Sequence, residues 1–163
     1  MKNGGANGMT EGWQTLLVPV SREPASLEAV RLAAWVAKSR RARVHLVHVI
    51  EVVRSQPLNV ELEAESRQAQ QLLERAQALA AEAGFPGVKS TVVQSREAGP
   101  AVIDEARAQQ ADVIVLGLPP FEGEDRPFAI GSTAEFLLRH APCEVWLVRL
   151  PMRAADRGGQ RVR

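Results

Sequence analysis

At 163 residues, with 45% hydrophobic and 24% charged side chains, the chain has the size of one globular domain and enough apolar content for a core. A formal net charge of +1 supplies neither the basic field that would attract nucleic acid nor the acidic excess of a disordered chain. The single cysteine, Cys143, excludes an intramolecular disulfide and fits a reducing, cytoplasmic setting, and the longest apolar runs fall far short of the roughly 20 residues that span a bilayer.

Residues 1–12 are rich in glycine and asparagine and lack the apolar region of a signal peptide, so they are expected to form a disordered leader. The domain is expected over 13–150. Residues 14–20 form a short apolar run, predicted as a strand, which ends at Ser21-Arg-Glu-Pro24. Pro24 suits the first turn of a helix, where its missing N–H would be unpaired anyway. Ala25, Ala29, Leu32, Ala33 and Val36 then recur at helical spacing to about residue 40.

A second strand is predicted over 44–50. A long helix is predicted over about 60–83, with Leu62, Ala69, Leu72, Leu73, Ala76, Leu79 and Ala80 on one stripe and Gly84 ending it. A third strand at 88–94 leads to a helix at about 99–110, with Val102, Ile103 and Ala106 inward. The series closes with a strand at 113–116, a loop, a helix at 132–140 and a strand at 145–149. Residues 151–163 read as a flexible Arg-rich tail. Apolar strands alternating with helical crossovers imply an open α/β fold, a five-stranded parallel sheet with helices on both faces.

The helix opening Gly131-Ser-Thr133 follows the fourth strand across a flexible loop. Exposed backbone N–H groups and the helix dipole favour an anion at such a start. Ser132 and Thr133 could equally cap their own helix with no ligand. His45 and His48 lie three apart on a strand, point to opposite faces and cannot share a metal, so no metal site is expected. Cys143, between Pro142 and a buried strand, reads as a packed, inert thiol, and His140 as a cation at a helix C-terminus. There is no Gly-x-Ser-x-Gly elbow, no Gly-Lys-Ser/Thr phosphate loop and no His-rich metal spacing, and the chain is read as a non-enzyme.

Several stretches together carry a family resemblance. These are Leu16-Leu-Val-Pro-Val20 with Ser26, Ala29 and Ala33; Leu46-Val-His-Val-Ile50; Ala101-Val-Ile-Asp-Glu-Ala106; Ala111-Asp-Val-Ile-Val-Leu-Gly117; and Gly131-Ser132 onward to Arg149. The chain resembles the universal stress protein (UspA) family, and is similar to the UspA domains associated with amino-acid permeases. The resemblance implies an adenine-nucleotide alpha-hydrolase-like sheet in the order 3-2-1-4-5, with a ligand crevice beside the ends of strands 1 and 4. Two loops, at 19–23 and 117–130, adjoin that crevice.

ATP-binding members of the family carry Gly-x2-Gly-x9-Gly-Ser/Thr before the last helix and an Asp after the first strand. Here Gly117, Gly131 and Ser132 match, but Pro120 replaces the middle glycine, the second spacing is one residue longer, and Ser21 stands at the Asp position. Glu122, Glu124 and Asp125 place carboxylates in the loop, relieved only by Arg126, and Glu23 adds another at a second helix entrance. The resemblance thus implies a non-enzymatic stress or regulatory interaction domain with a degenerate nucleotide pocket and no obligatory cofactor. The alternatives are a working adenine-nucleotide module, taking ATP with magnesium or manganese, and a regulatory domain partnered with a membrane transporter.

The candidate nucleotide residues are Pro19, Val20, Ser21, Val49, Leu116, Gly117, Gly131, Ser132 and Thr133, with adenine expected near Ser21 and Val49 and phosphate at the helix start. The apolar last strand, with Val145, Trp146, Leu147 and Val148, lies at the sheet edge in the family order. An unpaired apolar edge is an association hazard, so a homodimer through this strand is expected.

Overall fold

The computed structural model describes residues 12–119 and 129–151. The expected leader up to residue 11, the loop residues Pro120, Glu122, Glu124, Asp125 and Arg126, and the tail beyond Pro151 lie outside the described residues.

Five strands and four helices alternate along the chain: β1 Thr15–Pro19, α1 Pro24–Arg40, β2 Arg43–Glu51, α2 Glu63–Glu82, β3 Lys89–Ser95, α3 Ala98–Ala108, β4 Val113–Gly117, α4 Ser132–His140 and β5 Glu144–Val148. The sheet is parallel throughout, in the order β3-β2-β1-β4-β5. The expected topology is therefore the observed one, with two differences in detail. α2 begins at Glu63 rather than near residue 60. β3, expected at 88–94, runs from Lys89 to Ser95 and has no fully buried side chain because it is an edge strand.

The alternation of side chains along the inner strands divides the core into two layers. Leu16, Val18, Val44, Leu46, Val113 and Val115 face α1 and α2, where Ala29, Val30, Ala33, Ala34 and Ala37 of α1 meet Leu73, Ala76 and Ala80 of α2. Leu17, Val47, Ile114 and Leu116 face the other way, onto Val102, Ile103 and Ala106 of α3 and Ala134 and Leu137 of α4. The buried face of α1 is mostly alanine, which lets the helix lie close to the sheet; it ends where Arg41 turns left-handed at φ 56°. Gly99 plays a similar part between the helices on the opposite face, since a Cβ there would come within 2.8 Å of Phe136.

Asp112 registers the N-terminal edge of the sheet. Its Oδ2 accepts the amides of Gln14 at 2.7 Å and Thr15 at 2.9 Å, its own amide donates to the Thr15 carbonyl, and its carbonyl accepts from Glu144. One side chain and its backbone thus join β1, β4 and β5 before any of them enters the core.

Candidate functional site

β1 and β4 are neighbours in the sheet, yet the chain leaves β1 towards β2 and leaves β4 towards β5. That reversal parts the connections at the C-terminal edge and opens a crevice. A cavity of about 300 Å3 fills it, lined by every candidate nucleotide residue: Pro19, Val20 and Ser21 after β1, Val49 on β2, Leu116 and Gly117 at the end of β4, and Gly131, Ser132 and Thr133 at the start of α4.

Gly117 is demanded by close approach. A Cβ there would lie 2.3 Å from the Ala25 carbonyl carbon and the Ser26 amide, so only glycine lets the first turn of α1 close against the end of β4. The loop between them is folded by Ser26, which is buried: its hydroxyl donates to the Pro19 carbonyl at 3.3 Å and accepts the Ser21 amide at 2.8 Å. The Ser21 hydroxyl in turn accepts the Glu23 amide at 3.2 Å, so the side chain at the family's Asp position is engaged in shaping its own turn.

The two loops named from sequence do not complete the wall. β2 and α3 supply Val47, His48, Ala98 and Val102 as well. His48 is the most consequential of these. Its Nδ1 lies 2.7 Å from the Val20 carbonyl, which can only accept, so Nδ1 carries the proton and ties β2 to the β1–α1 loop. His45, as the strand alternation requires, points to the opposite face, where Nε2 lies 2.8 Å from Thr91 Oγ1 and 3.0 Å from Glu105 Oε1. Burial lowers the His45 pKa, an effect opposed by the Glu105 carboxylate and reinforced by Lys89.

Three helices begin around the cavity and their N-termini are not equivalent. α1 starts behind Glu23, and the first amide of α3, on Ala98, is taken by Glu51 Oε1 at 2.9 Å. α4 starts behind Gly131, at φ 88° and ψ 151°, with no side-chain cap; its first helical bond runs from Glu135 to Gly131. Ser132, Thr133 and Ala134 precede that bond, where a helix leaves its amides without intrahelical partners, and all three residues line the cavity. The expectation that Ser132 or Thr133 might cap the helix is corrected: the cap position falls on Gly131, which has no hydroxyl, and both hydroxyls sit inside the first turn.

Among the described lining residues Glu23 is the one carboxylate, and none is lysine or arginine. The described wall is accordingly mostly apolar, with the first turn of α4 and Glu23 contributing its polar part alongside Ser21 and His48. Among the described residues there is no cluster of three or more His, Cys, Asp or Glu side chains placed to hold a metal ion. Cys143 lies away from the cavity against the α3–α4 layer, where burial raises its pKa and the Asp112 carboxylate raises it further, keeping it a thiol at neutral pH. His140 ends α4 with its ring 4.4 Å from that of Phe136, near the negative end of the helix dipole.

An open parallel sheet with an anion-competent helix start at its switch point defines the class: an α/β domain of the adenine-nucleotide alpha-hydrolase-like type. The sequence model of the Universal stress protein family matches residues 12–149, and the chain belongs to that family. It is 26% identical over 145 residues to universal stress protein MJ0531 of Methanocaldococcus jannaschii, spanning 85% of this chain and 84% of that one. Among solved structures it is similar to UspA of Lactobacillus plantarum, with a TM-score of 0.72, 25% identity and coverage of 85% of this chain and 99% of that one. A universal stress protein of Archaeoglobus fulgidus in complex with dAMP shares the fold with a TM-score of 0.65 at 19% identity, over 83% of this chain and 98% of that one.

Proposed function

We propose that this chain is a non-enzymatic regulatory domain that binds an adenine nucleotide in the cavity at the C-terminal edge of its sheet. The observation that carries the reading is the gathering of all the candidate residues around one cavity, with the first turn of α4 forming part of its wall. The dAMP complex of the Archaeoglobus fulgidus relative supports it. In this reading the base rests against Val20, Val49 and Val102, and a phosphate meets the amides of Ser132, Thr133 and Ala134. Binding is favoured over turnover because two of the polar side chains of the wall are engaged in holding the loop: the Ser21 hydroxyl with the Glu23 amide, and His48 with the Val20 carbonyl. The departures from the ATP-binding pattern at Ser21 and Pro120 weaken a pocket for triphosphate without removing the cavity.

Ser132→Asp tests the site. A carboxylate at the first position of α4 suits the helix dipole, so the fold is retained, but it occupies the place of the phosphate. Calorimetric titration with AMP is expected to show binding by the wild type and at least a ten-fold loss in the variant. Equal binding by both would move the site elsewhere, and no heat with millimolar AMP or ATP in the presence of magnesium would reject the reading.

We also infer a two-fold homodimer through β5. The strand is an edge of the sheet, and Leu147 is 37% exposed on it. Trp146 contributes less to that surface than its size suggests. It packs edge-on against Trp13 at 4.7 Å, and its indole N–H donates to Glu144, so much of the ring is used within the chain.

A further inference from the structure

We propose that His48 is a positioning residue of the nucleotide site: by donating to the Val20 carbonyl it keeps the backbone amide of Val49 free to meet the base. The inference rests on the nucleotide reading above and concerns how the base is selected. It follows from where the backbone hydrogen bonds go at the point where β1 and β2 part. In a parallel ladder the N–H and C=O of one residue turn to the same neighbouring strand, and those of the next residue turn to the other. The Val20 amide donates to the Val47 carbonyl at 2.8 Å, and the Val52 amide to the Ser95 carbonyl at the end of β3, also at 2.8 Å. Odd-numbered residues of β2 therefore face β1 and even-numbered ones face β3.

Val49, two residues beyond Val47, accordingly turns its amide and carbonyl to the β1 side. With Pro19 opposite Val47, the next bond of the ladder would run from the Val49 amide to the Val20 carbonyl. That carbonyl instead accepts the Nδ1–H of His48 at 2.7 Å. Beyond it the chain leaves the ladder, the Ser21 amide going to Ser26 Oγ. Among the described residues neither the amide nor the carbonyl of Val49 has a partner in the protein. Val20 is buried, so its carbonyl requires a donor from within the chain, and without His48 the Val49 amide is the group in register to supply it. Val49 lines the cavity with Pro19, Val20 and Ser21. A free donor and acceptor on one residue suit the edge of a 6-aminopurine, where ring N1 accepts and the exocyclic amine donates. The edge of a 6-oxopurine has the opposite order and leaves both backbone groups unmatched.

The test combines amide hydrogen exchange by NMR with calorimetric titration of the full chain by AMP and IMP, for the wild type, His48→Leu and His48→Asn. Leucine fills the place of the ring without a donor, while the asparagine amide puts an N–H where Nδ1 stands. In the wild type without ligand the Val49 amide is expected to exchange about ten-fold faster than the amides of the β1–β2 ladder, and to slow when AMP is added. AMP should bind about ten-fold more tightly than IMP. In His48→Leu the Val49 amide should become protected without ligand and the preference for AMP should largely vanish; His48→Asn should restore both properties. A loss of stability alone would produce neither the gain in protection nor the change in preference. A Val49 amide already protected in the ligand-free wild type, equal wild-type affinity for AMP and IMP, or a His48→Leu protein with unaltered exchange and preference would each overturn the inference while leaving nucleotide binding intact. The two wild-type outcomes decide the matter even where His48→Leu does not fold. Absence of binding by either nucleotide would overturn the proposed function and this inference with it.

Discussion

His45 shows how one side chain can carry pH dependence for the whole domain. It is buried between β2, β3 and α3, facing Glu105 and Thr91 with Lys89 nearby, and burial lowers its pKa below the ordinary value of about 6.5. As the pH falls below that value the unfolded chain takes up a proton that the folded chain resists, so the unfolded state is favoured. The stability linked to His45 is therefore complete above about pH 6.5 and declines as the pH falls through the range below it. Urea unfolding between pH 7.5 and 5.5 is expected to show this decline, and His45→Gln, which keeps a donor but cannot titrate, should flatten it. An unchanged slope would assign the dependence to other groups. At Gly117 the constraint is steric. Alanine would force its Cβ into the backbone of α1, and Gly117→Ala is expected to cost about 1–3 kcal/mol by denaturant midpoint.

At the scale of elements, the strands are held in register at one edge and opened at the other. Asp112 gathers the start of β1, while β4 and β5 run from it into the core. Replacing it with alanine removes the side-chain acceptor of two amides and is expected to destabilise the domain by about 2 kcal/mol, whereas Asp112→Asn, which keeps an acceptor oxygen, should lose less. Chemical denaturation of the two variants side by side makes that comparison. At the other edge the helices carry different charges into the cavity. Glu23 precedes α1, Glu51 accepts the first amide of α3, and α4 begins behind Gly131 with no side-chain cap.

For the molecule as a whole, the two core layers leave both ends of the sheet exposed, at β3 and at β5. β3 is polar, with Lys89 at its start, and is poorly suited to pairing with another sheet. β5 is short and apolar, which is why association is assigned to it. Light scattering at micromolar concentration is expected to give the mass of a dimer, and Leu147→Lys should shift it to a monomer. A wild-type monomer would contradict the proposal. Among the described residues no helix is long and apolar enough to cross a membrane.

The order of elements was legible in the residues themselves, whereas the strand order and the crevice beside strands 1 and 4 were implied by the resemblance to the family. The elements follow from local signals: apolar runs in Leu16 to Val18 and Val113 to Leu116, helical spacing in Ala25, Ala29 and Ala33, and the breaks at Pro24, Gly84 and Gly131. Family membership rests on the same stretches, because the motifs are short and continuous. The finer site was not legible. That His48 holds Val20, that Glu51 caps α3, that Ala98 and Val102 complete the wall and that the Ser21 hydroxyl serves its own loop depend on hydrogen bonds and packing fixed only when the chain has folded. Periodicity determines which face of an element is buried, but hydrogen-bond partners distant in sequence are chosen by the packing of whole elements, and here that packing decided which residues meet around the cavity.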